Sequence, residues 1–166
     1  MKPLILYLAG PIDLGKDIPN WRADLMKLIQ LRNITATAFD PSTAFKTSKW
    51  GTQDKARSLY IEQMNRVALD SANIFVAMLP KAVSTIGTPI EIEFAAKSSG
   101  IKHIYLISDI QPGASVYLDN RVPVSNWFSP VDMYSQDNVI DTLNSLVDQI
   151  VRDAVEMPPL TKFVED

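Results

Sequence analysis

A glutamate near the start of a predicted helix is the group in this sequence best placed for chemistry. Glu91 follows Thr88 and Pro89, which predict a helix with a hydroxyl N-cap at Thr88 and a proline in its first turn. Before this helix come a short apolar run, residues 74–79, and a loop of small residues, 84–87. The apolar run predicts a buried strand. A strand, a small-residue loop and a helix N-terminus together form an arrangement that faces ligands.

Two roles are open for Glu91. In the first, Thr88 and Glu91 form a capping box, in which the glutamate bonds back to the amide of the cap residue. In the second, the helix dipole lowers the pKa of Glu91 and keeps it ionised, so that it can attack an anomeric carbon and form a covalent glycosyl intermediate. Glu93 lies on another face of the helix and is expected to be solvated. Gly100 is expected to end the helix in a left-handed conformation.

Alternating strands and helices must position these groups. The predicted strands are residues 4–9, 35–39, 74–79, 101–107 and 127–128. The predicted helices are residues 17–29, 56–68, 88–100 and 139–154. Residues 42–53 and 109–125 are predicted to be loops, with a turn at 112–113. This order predicts a parallel sheet with helices on both faces.

The carboxyl ends of the strands are the expected ligand-binding edge of such a sheet. The residues expected to converge there are Tyr7, Gly10, Asp40, Thr85 and Glu91. Tyr7 is either a packed core residue with a satisfied hydroxyl or a donor that orients the glutamate. Gly10 is either a turn at the end of its strand or a point where a sugar or phosphate approaches the backbone.

Length and composition exclude several classes of function. The 166 residues are expected to form a single domain, residues 1–157, followed by a short tail, 158–166. A net charge of -3 gives no general attraction to nucleic acid polymers or anionic membranes. The chain has no cysteine, and its one histidine, His103, is expected to be structural, so we expect no metal site. Without a membrane-length apolar run or a signal-peptide pattern, the protein is expected to be soluble and cytoplasmic.

Three blocks of the sequence resemble the nucleoside 2-deoxyribosyltransferase superfamily, which includes the transferases and the nucleoside 5′-monophosphate N-glycosidases. The blocks are YLAGPI at 7–12, ANIFVA at 72–77 with the helix before it, and GTPIE at 87–91. They keep the family's order and spacing over residues 4–108. The resemblance implies a flavodoxin-like three-layer α/β fold with a mostly parallel five-stranded sheet. It also implies a homodimer or a higher homo-oligomer that acts on a small-molecule nucleoside or nucleotide without a cofactor.

The resemblance assigns roles to individual residues. Glu91 matches the family's nucleophilic glutamate, and Tyr7 matches the tyrosine that holds it. Glu91 would attack the anomeric carbon, the base would depart, and the intermediate would pass to another base or to water with retained configuration. The residues expected to contact the substrate are Gly10, Pro11, Ile12, Asp40, Thr85, Gly87 and Asn120. Asn120 belongs to a loop, residues 112–121, that would reach a neighbouring subunit's site, with Ser115 and Tyr117 as further candidates.

Asn65 is the first departure from the family's pattern. It stands where the family usually has an aspartate that contacts the substrate near the glycosidic bond and assists departure of the base. An amide can hydrogen-bond a base but cannot be a general acid. Either this branch works differently, another group such as Glu62 or Asp70 supplies the proton, the activity is low, or the residue was changed to inactivate the protein. Of the two carboxylates, Glu62 is the better placed on an ideal helix.

The second departure concerns the 5′ end of the substrate. Asp13 occupies the position of a phosphate-binding arginine, whereas Thr85 keeps a hydroxyl that tolerates phosphate. Because Asp13 would repel a phosphate, transfer between free 2′-deoxynucleosides is the first expectation, and hydrolysis of a nucleoside 5′-monophosphate is the alternative. A non-catalytic nucleotide-binding module is the alternative of another class, supported by Asn65. The side chains that could supply a cation to a phosphate are Lys16, Arg22, Lys46 and Lys49, and those that could stack on a base are Phe45, Trp50 and Trp127.

Overall fold

One parallel sheet forms the middle layer of the computed structural model, which describes residues 3–11, 19–44, 55–83 and 87–156. Its strands are β1 (Leu4–Ala9), β2 (Ala36–Phe39), β3 (Ile74–Met78), β4 (His103–Ile107) and β5 (Trp127–Phe128). They lie in the order β2-β1-β3-β4-β5, and every neighbouring pair is parallel. This is the flavodoxin-like strand order, so the predicted fold class is confirmed.

The helices cover both faces of the sheet. They are α1 (Trp21–Leu31), α2 (Pro41–Ala44), α3 (Lys55–Ser71), α4 (Gly87–Lys97), α5 (Val116–Asp119) and α6 (Gln136–Glu156). Apolar residues of α1 and α6 form one core with one face of the sheet, and those of α3, α4 and α5 form a second core with the other face. None of the helices in the described ranges is long and apolar enough to cross a membrane.

The buried central strands divide their side chains between these two cores. In β1, Leu6 and Leu8 join the core of α1 and α6, whereas Tyr7 and Ala9 join the core of α3 and α4. This alternation follows from the two-residue period of a strand. The apolar stripe of α6 lies in the first of these cores.

Both ends of α4 differ from the prediction. The helix begins at Gly87, one residue before Thr88, so Thr88 lies in the first turn and is not the N-cap. It ends at Lys97, and the bond from the Ser98 amide to the Ala95 carbonyl, 3.2 Å long, tightens its last turn. Gly100 lies beyond the helix and does not have a positive φ. Its predicted left-handed stop is therefore wrong, because the tightened turn has already ended the helix.

Two segments predicted as loops contain short helices. Residues 109–125 include α5, which is N-capped by Ser115, and the start of a 3-10 turn at Val124–Asn126. α2 begins directly after Asp40, where the prediction had a loop from residue 42. The turn predicted at 112–113 is present, with Gly113 at a φ of 91°. The remainder of the 42–53 segment and the tail, 158–166, lie outside the described residues.

Candidate active site

β1 and α4 bring Tyr7 and Glu91 together at the carboxyl end of the sheet. The Tyr7 hydroxyl donates to Glu91 Oε1 at 2.8 Å, although the two residues are 84 positions apart. The glutamate is therefore turned toward the sheet. This argues against the capping box, and so does the start of the helix before Thr88. The pair has the geometry of a carboxylate held by an orienting donor.

The Tyr7 ring is fixed by its neighbours in the sheet. Phe39 and Phe75 are its register partners on β2 and β3. Both rings stack on Tyr7, with centroids 5.4 Å and 5.7 Å away. Because the ring is fully buried in this row of three aromatics, its hydroxyl has one direction available, toward Glu91.

The position of Glu91 is set by the packing of α4. Ile92 and Ala95 anchor the helix in the core that it shares with β3. The carbonyl of Pro89 accepts a hydrogen bond of 2.7 Å from the Tyr117 hydroxyl of α5. These contacts hold the first turns of α4 against the sheet on one side and against α5 on the other.

Burial decides the protonation of both groups. It raises the pKa of Glu91 to about 7, against the opposing effects of the Tyr7 hydrogen bond and the Arg22 charge. The expectation that the helix dipole lowers this pKa is therefore wrong, because loss of hydration outweighs the favourable contacts. Burial, and then the charge of Glu91, raise the pKa of Tyr7, so the phenol stays protonated and acts as the donor.

Glu93, on the same helix, has the opposite environment. Lys97 Nζ lies 2.8 Å from its carboxylate, and Arg121, which follows α5, donates to it as well. These two hydrogen bonds lower the pKa of Glu93 to about 2. Glu93 was expected to be simply solvated, and the structure shows instead that it pairs with Lys97 and joins α4 to the segment after α5 through Arg121.

Arg22 of α1, which the sequence offered as a possible cation for a phosphate, makes contacts at this edge of the sheet that the sequence did not reveal. It is buried, and its Nη2 donates to the Gly10 carbonyl at 3.0 Å and its Nε to the Leu8 carbonyl at 3.3 Å. Nε also lies 3.3 Å from Asp40 Oδ1. A signal was present, because Arg22, at helical spacing from Leu25 and Ile29, lies within an apolar stripe, and a buried charge needs a partner.

Gly10 is explained by this arginine. A Cβ at Gly10 would lie 3.2 Å from Arg22 Nη2 and 3.3 Å from the Met78 carbonyl oxygen. A backbone oxygen cannot move aside cheaply, so the position favours glycine for close packing. The approach of a ligand, which was the alternative explanation, is not needed to account for it.

Asp40 also accepts two hydrogen bonds from Ser42. Its Oδ1 accepts from the backbone amide and the hydroxyl of Ser42, at 2.8 Å and 2.6 Å. Asp40 therefore holds the start of α2 at the carboxyl end of β2. The sequence placed Asp40 correctly at this edge but gave no indication of its ion pair.

Asn65 of α3 turns its side-chain oxygen inward. Oδ1 is buried and has no hydrogen-bond partner within the described part of the chain. Glu62 and Asp70 are exposed on the same helix, so neither shares this inward position. A buried acceptor without a donor is costly, and a donor on a bound ligand would satisfy it.

The remaining candidate residues are spread over the surface or lie outside the described ranges. Gly87 and Asn120 are exposed, and Pro11 is half-buried at the end of β1. The indole of Trp127 donates to the Ile110 carbonyl at 3.0 Å, which makes it a packing residue. The predicted site, phosphate-contact and stacking residues outside the description are Ile12, Asp13, Lys16, Phe45, Lys46, Lys49, Trp50 and Thr85.

The segment after β4 packs on its own chain. Besides the bond from Tyr117 to Pro89, Arg121 stacks over the Tyr117 ring at 3.8 Å.

The described residues contain no group of three or more metal-ligating side chains that could hold a metal ion. His103 lies 3.8 Å from Asp153 at the opposite end of the sheet.

Comparison with solved structures relates this fold to known enzymes, although no protein-family model and no curated protein matches the sequence significantly. A 2-deoxyribosyltransferase from Bacillus psychrosaccharolyticus is 16% identical, with a TM-score of 0.57, and the match covers 81% of this chain and 95% of that one. A conserved protein from Enterococcus faecalis is 17% identical, with a TM-score of 0.54 and coverages of 92% and 99%. The CMP N-glycosidase BcmB of Clostridium botulinum is 16% identical, with a TM-score of 0.50 and coverages of 84% and 98%. The chain therefore has the fold of a 2-deoxyribosyltransferase and of a nucleotide N-glycosidase, as its resemblance to that superfamily predicted.

Proposed function

We propose that this protein is an enzyme that cleaves or transfers at the N-glycosidic bond of 2′-deoxynucleosides through a covalent glycosyl–Glu91 intermediate. The observation that carries the proposal is the 2.8 Å hydrogen bond from the Tyr7 hydroxyl to Glu91 Oε1. A mostly buried carboxylate with a perturbed pKa, held by a donor at the ligand-binding edge of a parallel sheet, suits a nucleophile. The fold shared with a 2-deoxyribosyltransferase supports the same class of reaction.

The reaction has two displacement steps. Ionised Glu91 attacks C1′ of the deoxyribosyl group, the C1′–N bond breaks, and the base leaves with the electron pair and takes up a proton. A nitrogen of an acceptor base then attacks C1′, releases its own proton, and displaces Glu91 as a carboxylate. Two inversions retain the configuration. A 2′-deoxy sugar suits this path because it lacks the electron-withdrawing hydroxyl that would destabilise an oxocarbenium-like transition state.

The proposal gives each residue a limited role. Tyr7 holds Oε1, so that the second oxygen of Glu91 bonds to the sugar. Asn65 contacts the base or the sugar through its Oδ1, which has no hydrogen-bond partner among the described residues. This oxygen accepts but cannot supply the proton for the departing base. The further substrate contacts proposed are Gly10, Pro11, Ile12, Asp40, Thr85, Gly87 and Asn120. The active form is proposed to be a homodimer or a higher homo-oligomer, without metal or organic cofactor.

Two other functions each rest on a specific observation. Hydrolysis of a nucleoside 5′-monophosphate is supported by the fold shared with a CMP N-glycosidase and by the hydroxyl of Thr85, whereas Asp13 argues against a phosphate. A non-catalytic nucleotide-binding module is supported by Asn65, an amide where a general acid would be expected.

Product analysis separates these functions. The purified protein is incubated with a deoxynucleoside and a second free base, and separately with the deoxynucleoside 5′-monophosphate, and products are resolved by chromatography. Base exchange on the free nucleoside is the expected result. Release of base from the monophosphate alone would replace transfer by hydrolysis, and binding without turnover would leave the non-catalytic module.

The covalent step has a direct test of its own. Mass spectrometry of protein quenched during turnover should find one deoxyribosyl group on the peptide that contains Glu91. The matched control is Glu93→Gln, which removes the neighbouring carboxylate of the same helix and should leave the adduct in place. An adduct on another peptide, or full turnover by Glu91→Gln, would refute the assignment of the nucleophile.

A further inference from the structure

The site contains a buried cation that the mechanism above does not use. Arg22 comes from α1, on the opposite face of the sheet from Glu91, and its side chain is 8% exposed. It reaches the carboxyl end of β1, where it donates to the carbonyls of Leu8 and Gly10, on either side of Ala9. Leu8 and Ala9 follow Tyr7 in the strand, and Gly10 comes directly after the end of the strand.

Much of the hydrogen-bonding capacity of Arg22 is used within the protein itself. Its Nη2 and Nε are engaged by backbone carbonyls, and Nε also pairs with Asp40. The guanidinium lies over the Trp21 ring, 4.9 Å from its centroid. A group held this firmly acts through its fixed charge and through the backbone that it braces.

We propose that Arg22 is a positioning residue for the reaction proposed above, which braces the end of β1 beside Tyr7 and places a fixed positive charge at the edge of the sheet where Glu91 lies. The Asp40 carboxylate has the opposite effect, because its ion pair with Arg22 offsets part of the positive charge. The two residues therefore act on the nucleophile in opposite directions.

Few other charged groups of the described residues act on Glu91. From β1 it faces the neutral phenol of Tyr7, and from α1 the charge of Arg22. On α4, Glu93 is neutralised by Lys97 and by Arg121, which follows α5. On α3, Arg66 lies over the Phe94 ring, 4.7 Å from its centroid.

The electrostatic evidence agrees with this geometry. The Arg22 charge lowers the pKa of both Glu91 and Tyr7, against the larger effect of burial. Burial lowers the pKa of Arg22 itself, and the charges of Asp40 and Glu91 oppose that effect. The Arg22 charge is thus shared between two carboxylates, one at the end of β2 and one on α4.

The experiment reads the protonation of Glu91 without relying on turnover. The free energy of unfolding is measured against pH for each protein and for its Glu91→Gln partner, and the midpoint of their difference reports the ionisation of Glu91. In the Arg22→Gln background the midpoint should rise by about one pH unit. In the Asp40→Asn background, which keeps the oxygen that Ser42 needs, it should fall. Arg22→Lys, which retains the charge, should restore most of the wild-type value.

The matched control is the exposed pair Arg32–Asp148, whose side chains are 39% and 48% exposed. Arg32→Gln should leave the midpoint where it is in the wild type. If Arg22→Gln folds and its midpoint does not rise, or if Arg32→Gln moves it equally, the proposal is wrong. If Arg22→Gln fails to fold, Asp40→Asn decides, because an unchanged or raised midpoint there overturns the proposal.

The pH profile of kcat/KM provides the second readout. Its acidic limb should move in the same direction as the midpoint in each variant. Absence of any turnover in the wild type would refute the proposed function while leaving the midpoints interpretable. If the wild type turns over and the acidic limb does not move in Arg22→Gln or in Asp40→Asn, the role of Arg22 is refuted and the proposed reaction is retained.

Discussion

Among the described residues, two tyrosines on central strands each donate to a carboxylate, one on each face of the sheet. The hydroxyl of Tyr7 donates to Glu91 at 2.8 Å, and that of Tyr105 donates to Asp153 at 2.6 Å. Both phenols are fully buried on central strands, and burial raises the pKa of each. The shared feature, a buried phenol on a carboxylate, is therefore not sufficient to define a site.

The carboxylates of the two pairs differ in how completely the protein satisfies them. Asp153 has Tyr105 on Oδ2 and Gln149 on Oδ1, the latter at 2.9 Å, with His103 3.8 Å from Oδ2. For Glu91, the hydrogen bond found within the described ranges goes to Oε1. Asp153 joins α6 to β4, whereas Glu91 lies at the carboxyl edge, where parallel sheets bind ligands. The comparison indicates that position, and the hydrogen bonds found among the described residues, distinguish the proposed nucleophile from a structural carboxylate.

The largest expected effect separates the two carboxylates by activity. Glu91→Gln should lower turnover by about three orders of magnitude or more, because the amide cannot attack C1′. Asp153→Asn should keep turnover within about twofold of the wild type and should lower stability instead. Steady-state assays with a deoxynucleoside and an acceptor base, combined with chemical denaturation, measure both. Equal losses of activity in the two variants would remove the distinction.

The next effect separates the two tyrosines. Tyr7→Phe removes a hydrogen bond to a charged group and should slow turnover by about 10-fold to 100-fold, with the fold retained. Tyr105→Phe should leave turnover unchanged and cost about 1–2 kcal/mol of stability. The same assays measure the outcome, and a Tyr7→Phe enzyme with wild-type kinetics would show that the hydroxyl does not orient the nucleophile.

Stability against pH sharpens the comparison further. Because the pKa of Glu91 is about 7 in the folded chain and about 4.5 in the unfolded one, the folded state binds its proton more tightly. The resulting destabilisation begins as pH rises above about 4.5 and is complete above about 7, where it reaches about 3 kcal/mol at most. Glu91→Gln should therefore be more stable than the wild type at pH 8, and this advantage should vanish near pH 4.

Glu93→Gln is the control of opposite sign. The pKa of Glu93 is lowered to about 2, so its ion pairs stabilise the fold above about pH 4.5 and lose that contribution as pH falls toward 2. This variant should be less stable than the wild type at pH 7 and equal to it near pH 2. Denaturant titrations at a series of pH values measure both variants, and parallel curves would contradict the assigned environments.

The smallest effect concerns the glycine beside Arg22. Gly10→Ala would press its methyl group against the guanidinium and the Met78 carbonyl, and it should destabilise the protein by about 1–2 kcal/mol. Gly87→Ala is the control, because a Cβ at Gly87 meets nothing within 4 Å, and it should change stability by less than about 0.5 kcal/mol. Thermal denaturation measures both variants. Equal stabilities of Gly10→Ala and Gly87→Ala would show that the end of β1 accommodates the added methyl group.

The sequence predicted the sheet well because its strands carry their own signals. The continuous apolar runs of β1 and β3 predicted that these strands are buried, and the turns at their ends predicted the position of the ligand-binding edge. The approach of Tyr7 to Glu91 could be anticipated, since both follow from that topology and from the family resemblance.

The features that escaped prediction depend on three-dimensional surroundings. The ion pair of Arg22 with Asp40 joins two elements across the end of a sheet, so neither sequence segment shows it alone. The pKa of Glu91 was assigned the wrong direction because the helix dipole is visible in a sequence, whereas desolvation by the packed core is not. The left-handed stop expected at Gly100 was wrong because the helix already ends at Lys97, where the Ser98 amide bonds to the Ala95 carbonyl.

The row of rings Phe39, Tyr7 and Phe75 ties the proposed chemistry to the completion of folding. A one-residue slip of β1 against either neighbour would turn Tyr7 to the opposite face of the sheet, and the glutamate would then lose its donor. An intermediate with formed helices but an unpaired first strand would therefore be inactive. Recovery of activity during refolding should report the closing of β1 between β2 and β3, later than the recovery of helical circular dichroism.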